Sequence, residues 1–168
     1  MEPLLELQNR FKESMRFFAN SVTVVATSYE GKRFGFTSTA VCCVAFDVPT
    51  LLVSVNRTAS SHDPIERTGR FSVNLLREDQ AEISVRFTGF RGHKGEERFD
   101  GATWTVLETG APILVGGVAS FDCRVAETKA FGSHTLFFGR AVASVSDAAI
   151  GPLLYVNRAY AALRPLSV

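Results

Sequence analysis

The sequence predicts a mainly β protein with inserted helices, an antiparallel barrel carrying helical decorations. Short runs rich in β-branched and aromatic residues recur along the chain, separated by Gly, Pro and Asp turn signals. Helical patterns are few and sit between groups of strands. No βαβ unit repeats, which argues against a doubly wound sheet. No linker divides the 168 residues and nothing repeats at a solenoid period. Residues 1–168 therefore read as a single domain, long enough to bury a sizeable core.

Each element has its own signal. Leu4, Leu7, Phe11, Met15 and Phe18 recur every three or four residues, which predicts an amphipathic helix whose apolar stripe packs into the core. Val22–Tyr29 reads as a strand, Glu30-Gly31 turns it, and Lys32–Ser38 returns as its hairpin partner. Asp47-Val48-Pro49 breaks the chain before a strand at Leu51–Asn56. His62-Asp63-Pro64 opens a short helix ending at Gly69, with Pro64 at the first helical position. Arg70–Leu76 alternates as a strand, and Glu78 or Asp79 opens a helix running through Ile83 to Phe87. Thr88–Gly101, with four glycines among charges, reads as a surface loop that is mobile until something orders it. Trp104–Leu107 is a short strand, and Thr109-Gly110-Ala111-Pro112 a turn. Two longer strands follow, Val115–Ala126 and His134–Val145, joined through Lys129–Ser133. Leu153–Val156 is a last apolar piece before a tail with Tyr155, Arg158 and Tyr160.

Composition excludes several classes. Hydrophobic content of 46% and 21% charged residues suit a soluble globular chain. A net charge of +1 without basic runs argues against nucleic-acid or anionic-membrane partners. The longest apolar stretch, Ala40–Phe46, is far too short to span a bilayer. The N-terminus lacks the basic start and apolar core of a signal peptide. Three cysteines, two adjacent at Cys42-Cys43, make a poor disulfide framework, and no spacing suggests a metal site. A cytoplasmic setting is expected.

Two hydroxyl-rich stretches organise the candidate site. Gly35 to Ala45 passes Thr37, Ser38 and Thr39 before an apolar run, and Asn56-Arg57-Thr58-Ala59-Ser60-Ser61 adds a second cluster with a cation. Short hydroxyls and approachable backbone N–H groups bind phosphates or the edges of planar heterocycles, so both clusters are expected to face one ligand. The same composition also suits ordinary turns at strand ends. No Gly-x-Ser-x-Gly elbow is present, and the glycines of the 88–101 loop lack a nucleotide fingerprint. Cys42 and Cys43 lie in the most apolar stretch and read as buried, protonated thiols rather than nucleophiles. The pair Glu96-Glu97 reads as a solvated face. His134, at the mouth of a strand, is either a hydrogen-bonded structural residue or a functional one. A neutral imidazole there could orient the carboxamide of a dinucleotide.

An ordered set of segments carries a resemblance. It runs from Phe18-Ala19-Asn20-Ser21-Val22-Thr23-Val24-Val25-Ala26-Thr27 through Gly35-Phe36-Thr37, Asp47-Val48-Pro49-Thr50-Leu51-Leu52-Val53 and Asn56-Arg57. It continues with Gly69-Arg70-Phe71-Ser72-Val73-Asn74-Leu75-Leu76, Arg98-Phe99-Asp100-Gly101 and Gly110-Ala111-Pro112-Ile113-Leu114. Gly132-Ser133-His134-Thr135-Leu136-Phe137-Phe138-Gly139 and Pro152-Leu153-Leu154-Tyr155 complete it. From Phe11 to Tyr160 the chain resembles the short-chain flavin reductases, the reductase components of two-component flavin monooxygenases.

That resemblance implies an FMN-binding split β-barrel, a homodimer with FMN or FAD in a groove at the subunit interface. It implies that Thr37, Ser38 and Thr39 meet the ribityl chain and ring edge, and that Cys43, Val44 and Ala45 line the isoalloxazine. Asn56, Arg57, Ser60 and Ser61 would take the phosphate side, while Arg86, Phe87 and Arg98 close the pocket. His134, the candidate catalytic residue, would orient the nicotinamide of NADH or NADPH, with Tyr155, Asn157 and Arg158 handling the same coenzyme. The reduced flavin would serve a separate monooxygenase. This chain departs from the family at Ser38-Thr39, where Ala-Asn or Ala-Ser is usual. It departs again at Cys42-Cys43 and Ala45, where hydroxyl residues are common. Losing those donors bears on flavin affinity and on the choice between FMN and FAD. Two other readings remain open at this stage: a non-catalytic flavin- or haem-binding split barrel, and a pyridoxamine-phosphate oxidase, whose phosphate site would be richer in lysine and arginine.

Overall fold

The structure, a computed structural model, describes residues 2–147 and 149–167, so the two ends of the predicted domain lie outside the described residues. Helix α1 (Glu2–Met15) precedes strands β1 (Asn20–Ser21), β2 (Thr23–Tyr29), β3 (Lys32–Ser38), β4 (Val41–Ala45) and β5 (Thr50–Asn56). Helix α2 (His62–Thr68) leads to β6 (Arg70–Leu75), and a 3₁₀ turn at Glu78–Gln80 leads to α3 (Ala81–Thr88). A second 3₁₀ turn, Gly95–Phe99, precedes β7 (Trp104–Val106) and β8 (Pro112–Leu114). The chain closes with β9 (Ala119–Phe131), β10 (His134–Ser146), β11 (Leu154–Val156) and β12 (Ala159–Ala161).

Seven strands form one antiparallel sheet in the order β3-β2-β6-β9-β10-β5-β4. It does not close, since β3 and β4 are its edges, so the fold is the mainly β split barrel the sequence predicts. Strand alternation feeds two apolar clusters from this sheet. Val25, Val53, Val55, Phe71, Val73, Cys123 and Phe137 pack with Ile65 of α2 in one. Val22, Val24 and Ala26 turn the other way, to meet Leu76, Leu153, Phe87 of α3 and Phe99. Gly139 is required where β10 crosses the first cluster: a Cβ there would lie 2.3 Å from Phe71 Cζ. The small sheet β1-β11-β12 brings the start and end of the chain together, and β7 pairs with β8. Among the described residues no helix is long and apolar enough to cross a membrane.

Several expectations change. The stripe of α1 is not core: Leu4, Leu7, Phe11, Met15 and Phe18 are all exposed, because nothing among the described residues covers that helix face. Cys42 and Cys43 are exposed, not buried, because β4 is an edge strand with a single neighbour. The 88–101 loop is held in place: Phe99 is buried against Phe87 and Trp104, and Arg33 pairs with Glu96 at 2.7 Å. The helix at 62 begins two residues before Pro64, which still falls in the first turn, where N–H groups lack partners anyway. Strands β9 and β10 run on to a two-residue turn at Gly132-Ser133, so Lys129–Phe131 are strand rather than loop. Strand β4, the short β1 and β12, and the 3₁₀ turns have too few residues to show a period.

Candidate functional site

The end of β3 and the entry to α2 are brought together over α3. Gly35 lets β3 pass close to that helix, since a Cβ would sit 2.6 Å from Phe87 Cε1. Two residues on, Thr37 donates its hydroxyl to the Ser84 carbonyl at 2.6 Å. Strand alternation turns Ser38 inward, where its hydroxyl accepts from the Ala40 N–H at 3.1 Å. At the other cluster, Asn56 Oδ1 accepts from both the N–H and the hydroxyl of Thr58, each at 2.9 Å. That Asx turn lifts Thr58 and Ser60 toward β3. The N–H groups of Ser60 and Ser61 make no hydrogen bond among the described residues.

Between the clusters lies a cavity of about 570 Å³ whose wall includes Phe36, Thr37, Thr58, Ser60, Phe87 and Arg98. Phe87 is its aromatic floor, backed edge-on by Phe99 with ring centroids 4.9 Å apart. Arg98 supplies the cation. Its guanidinium donates to the Gly35 carbonyl at 3.0 Å and the His93 carbonyl at 3.2 Å, and no carboxylate among the described residues neutralises it. The neighbouring Glu96 anchors this segment. Burial raises its pKa, but the backbone N–H and guanidinium of Arg33 outweigh that and hold the carboxyl below its ordinary range.

A second cavity, of about 460 Å³, shares Thr37, Thr88 and Phe90 with the first. Its wall adds Thr39, Tyr155, Arg158 and Tyr160. Tyr155 and Tyr160 stand edge to face, centroids 5.5 Å apart, and the Tyr160 hydroxyl bonds Ser84 Oγ at 2.8 Å. The hairpin presenting these side chains turns at Asn157 and Arg158, both left-handed at φ 49° and 64°.

The remaining candidates fall elsewhere within one chain. Arg57 turns its guanidinium to the Gly132 carbonyl and so braces the β9–β10 turn. Ser61 is fully buried, its Oγ without a partner among the described residues, and is absent from the walls of the two large cavities. Arg86 reaches the Glu97 carbonyl at 3.2 Å and is not among the residues lining either large cavity of one chain. Asn157 Oδ1 accepts from Arg16 at 2.7 Å. His134 lies opposite Asn56, with Nδ1 2.9 Å from Ser133 Oγ, so it borders the Asn56-Arg57 corner rather than Tyr155 and Arg158. Cys43, Val44 and Ala45 occupy the β4 edge around a bulge. Cys43 lines a smaller cavity of about 230 Å³ with Thr39 and Asn20, whereas Val44 is half exposed and lines neither large cavity. His62, Asp63 and Glu66 lie close enough for a metal. His62, however, already engages Thr135 Oγ1 at 2.8 Å and Asp63 at 3.1 Å while packing edge-on against Phe137.

Sequence reasoning missed Ser84, Thr88, Phe90 and Tyr160. Only Phe90 had a usable signal, an aromatic residue set between Gly89 and Gly92 in a polar loop.

Residues 15–164 match the Flavin reductase like domain. The chain is 37% identical over 150 residues to the FMN reductase (NADH) RutF of Bradyrhizobium diazoefficiens, covering 89% of this chain and 82% of that protein. Among solved structures, nitrilotriacetate monooxygenase component B from Mycobacterium thermoresistibile superposes with a TM-score of 0.85 at 30% identity. That match covers 94% of this chain and 87% of the other. BorF, the flavin reductase component of a bacterial two-component tryptophan halogenase, superposes with a TM-score of 0.85 at 25% identity. It covers 95% of this chain and 99% of its own.

Proposed function

The chain belongs to the flavin reductase-like family, and from that premise we propose that it is an NAD(P)H-dependent flavin oxidoreductase whose reduced flavin passes to a separate flavin-dependent monooxygenase. The observation that carries this reading is the pair of adjoining cavities, one lined by hydroxyls and an unneutralised arginine, the other by tyrosines, meeting at Thr37, Thr88 and Phe90. Two planar ring systems that must stack face to face need adjoining cavities that open onto one another. The polar set of the larger cavity fits a flavin: Ser60 offers a hydroxyl and a backbone N–H, Thr37 and Thr58 offer hydroxyl oxygens as acceptors, and Arg98 offers charge for a phosphate. The redox chemistry would be that of a flavin held here by Thr37, Ser60 and Arg98, accepting hydride from a nicotinamide coenzyme. The protein has to hold the two rings at near-attack separation and exclude water, so no nucleophile or general base is required.

In this reading Thr37 and Thr39 contact the flavin, Ser38 supports the turn, and Asn56 shapes the phosphate corner. Phe87 floors the ring site, while Arg57 and Arg86 brace it. Tyr155 and Arg158 receive the nicotinamide coenzyme, and Asn157 sets their turn. Cys43, Val44, Ala45 and His134 act from the second copy of a homodimer, His134 orienting the carboxamide. Support for the dimer comes from the exposed stripe of α1, the exposed β4 edge, and these four residues lying apart from the two cavities of their own chain. Exposed free thiols at Cys42 and Cys43 suit a reducing, cytoplasmic compartment. Similarity to named FMN reductases favours turnover over a binding-only module.

The test is an anaerobic mixture of purified protein, FMN and NADH, followed by loss of oxidised-flavin absorbance. Bleaching that depends on the protein is the expected result; background rates with FMN and FAD, against both NADH and NADPH, would overturn the proposal. A His134→Ala variant should weaken nicotinamide binding more than flavin binding.

A further inference from the structure

The turn that presents Arg158 is held from outside by the end of α1. The Asn157 N–H donates to the Arg16 carbonyl at 2.6 Å, and Arg16 Nε donates to Asn157 Oδ1 at 2.7 Å. Glu13, one helical turn earlier, accepts from Arg16 and from Arg158 Nη2, the latter at 2.7 Å. Two arginines thus share one carboxylate at the rim of the tyrosine cavity. Arg158 is the one charged side chain among the described residues of that cavity's wall.

We propose that Glu13 sets the choice between NADH and NADPH, by occupying Arg158 and placing a negative charge where the 2′-phosphate of NADPH would be met. This rests on reading the tyrosine cavity as the coenzyme site. The two coenzymes differ only in that phosphate on the adenosine ribose. A free guanidinium would grip it through paired N–H···O bonds, the geometry arginine offers to phosphate and carboxylate alike. Here one arm of the Arg158 fork, Nη2, is already engaged by a carboxylate, and that carboxylate repels an incoming dianion. The Arg16 hydrogen bond and then the Arg158 charge hold Glu13 below the ordinary carboxylate range, so it stays ionised well into mild acid. The alternation of Glu13, Arg16 and Arg158 is invisible in sequence, because residues 145 apart are joined only by the fold.

Removing the charge while keeping the shape is the direct test. In Glu13→Gln the ratio of kcat/KM for NADPH to that for NADH should rise roughly tenfold at low ionic strength, through KM rather than kcat, and less at high salt. Glu13→Ala, with the same charge change and another shape, should move the ratio the same way. The gain should vanish in Glu13→Gln/Arg158→Ala. Independently of turnover, calorimetry should show 2′,5′-ADP binding tighter to Glu13→Gln than to the parent, with 5′-AMP showing no such gain. An unchanged NADPH to NADH ratio in a protein that reduces flavin with NADH overturns this inference alone. A gain that survives loss of Arg158 overturns it too. A parent protein without nicotinamide-driven flavin reduction overturns the functional reading and this inference with it.

Discussion

Arg98 and Arg57 separate a ligand role from a bracing one at the scale of the single residue. Both lie near the hydroxyl clusters in sequence or space, yet only Arg98 lines the larger cavity, while Arg57 is spent on the Gly132 carbonyl. Arg98→Ala should weaken FMN by roughly ten- to a hundredfold, in line with the ~1.5–3 kcal/mol of a charge-assisted hydrogen bond, and riboflavin far less, as measured by flavin fluorescence quenching. Arg57→Ala should affect the two ligands alike. The cysteines give a second test. Burial first, with the Asp122 charge adding to it, pushes the Cys123 thiol up to about 12 from an ordinary 9.0, whereas Cys42 and Cys43 are exposed. A thiol reagent at mildly alkaline pH should label two cysteines in the folded protein and the third only on unfolding. The linked stability follows the same sign. Below the unfolded thiol's pKa both states hold the proton and the contribution is complete. As pH rises from about 9 toward 12 the unfolded chain ionises first, so folding stability falls, and Cys123→Ser should flatten that part of a pH-dependent urea series.

At the scale of the element, α1 shows how a legible pattern can leave its partner unread. Its three- and four-residue spacing does make a helix, but the stripe of Leu7, Phe11 and Met15 stays exposed within one chain. In the proposed dimer that face is the natural contact, since burying it recovers about 25 cal/mol per Å² of apolar surface. Phe11→Asp should therefore shift sedimentation velocity profiles from dimer toward monomer while leaving the sheet's far-ultraviolet signature intact. A dimer of undiminished affinity would assign α1 another role. The hairpin β2–β3 and helix α2 were readable because turn residues mark their ends, Glu30-Gly31 and Gly69 each being left-handed. Strand β4 was not, because five apolar residues fit a buried strand, an edge strand or a helix turn equally well.

For the whole molecule, the consequence of an open barrel is that the candidate residues are spread over more than one face. The two cavities belong to one chain, while Cys43, Val44, Ala45 and His134 lie apart from them. If a second copy completes the site, diluting the protein through its dimer dissociation range should lower flavin affinity along the same curve that sedimentation equilibrium gives for dissociation. Flavin affinity that holds constant across that range would confine the site to one chain. The sheet itself should survive dilution, since both apolar clusters are assembled within the chain.

The sequence by itself determined the class of fold, most strand positions, the two hydroxyl stretches and the family resemblance, because each is written in local spacing or in an ordered set of short segments. Tertiary structure alone decided which of those residues meet. Whether Arg98 or Arg57 faces the cavity, whether Ser61 is wall or core, and whether Cys42 is covered all depend on which strands are neighbours and which edge stays open. The Glu13–Arg158 contact is the extreme case. No periodicity links the first helix to the last hairpin; the pairing of β1 with β11 and the backbone bonds beside it bring the two within hydrogen-bonding reach.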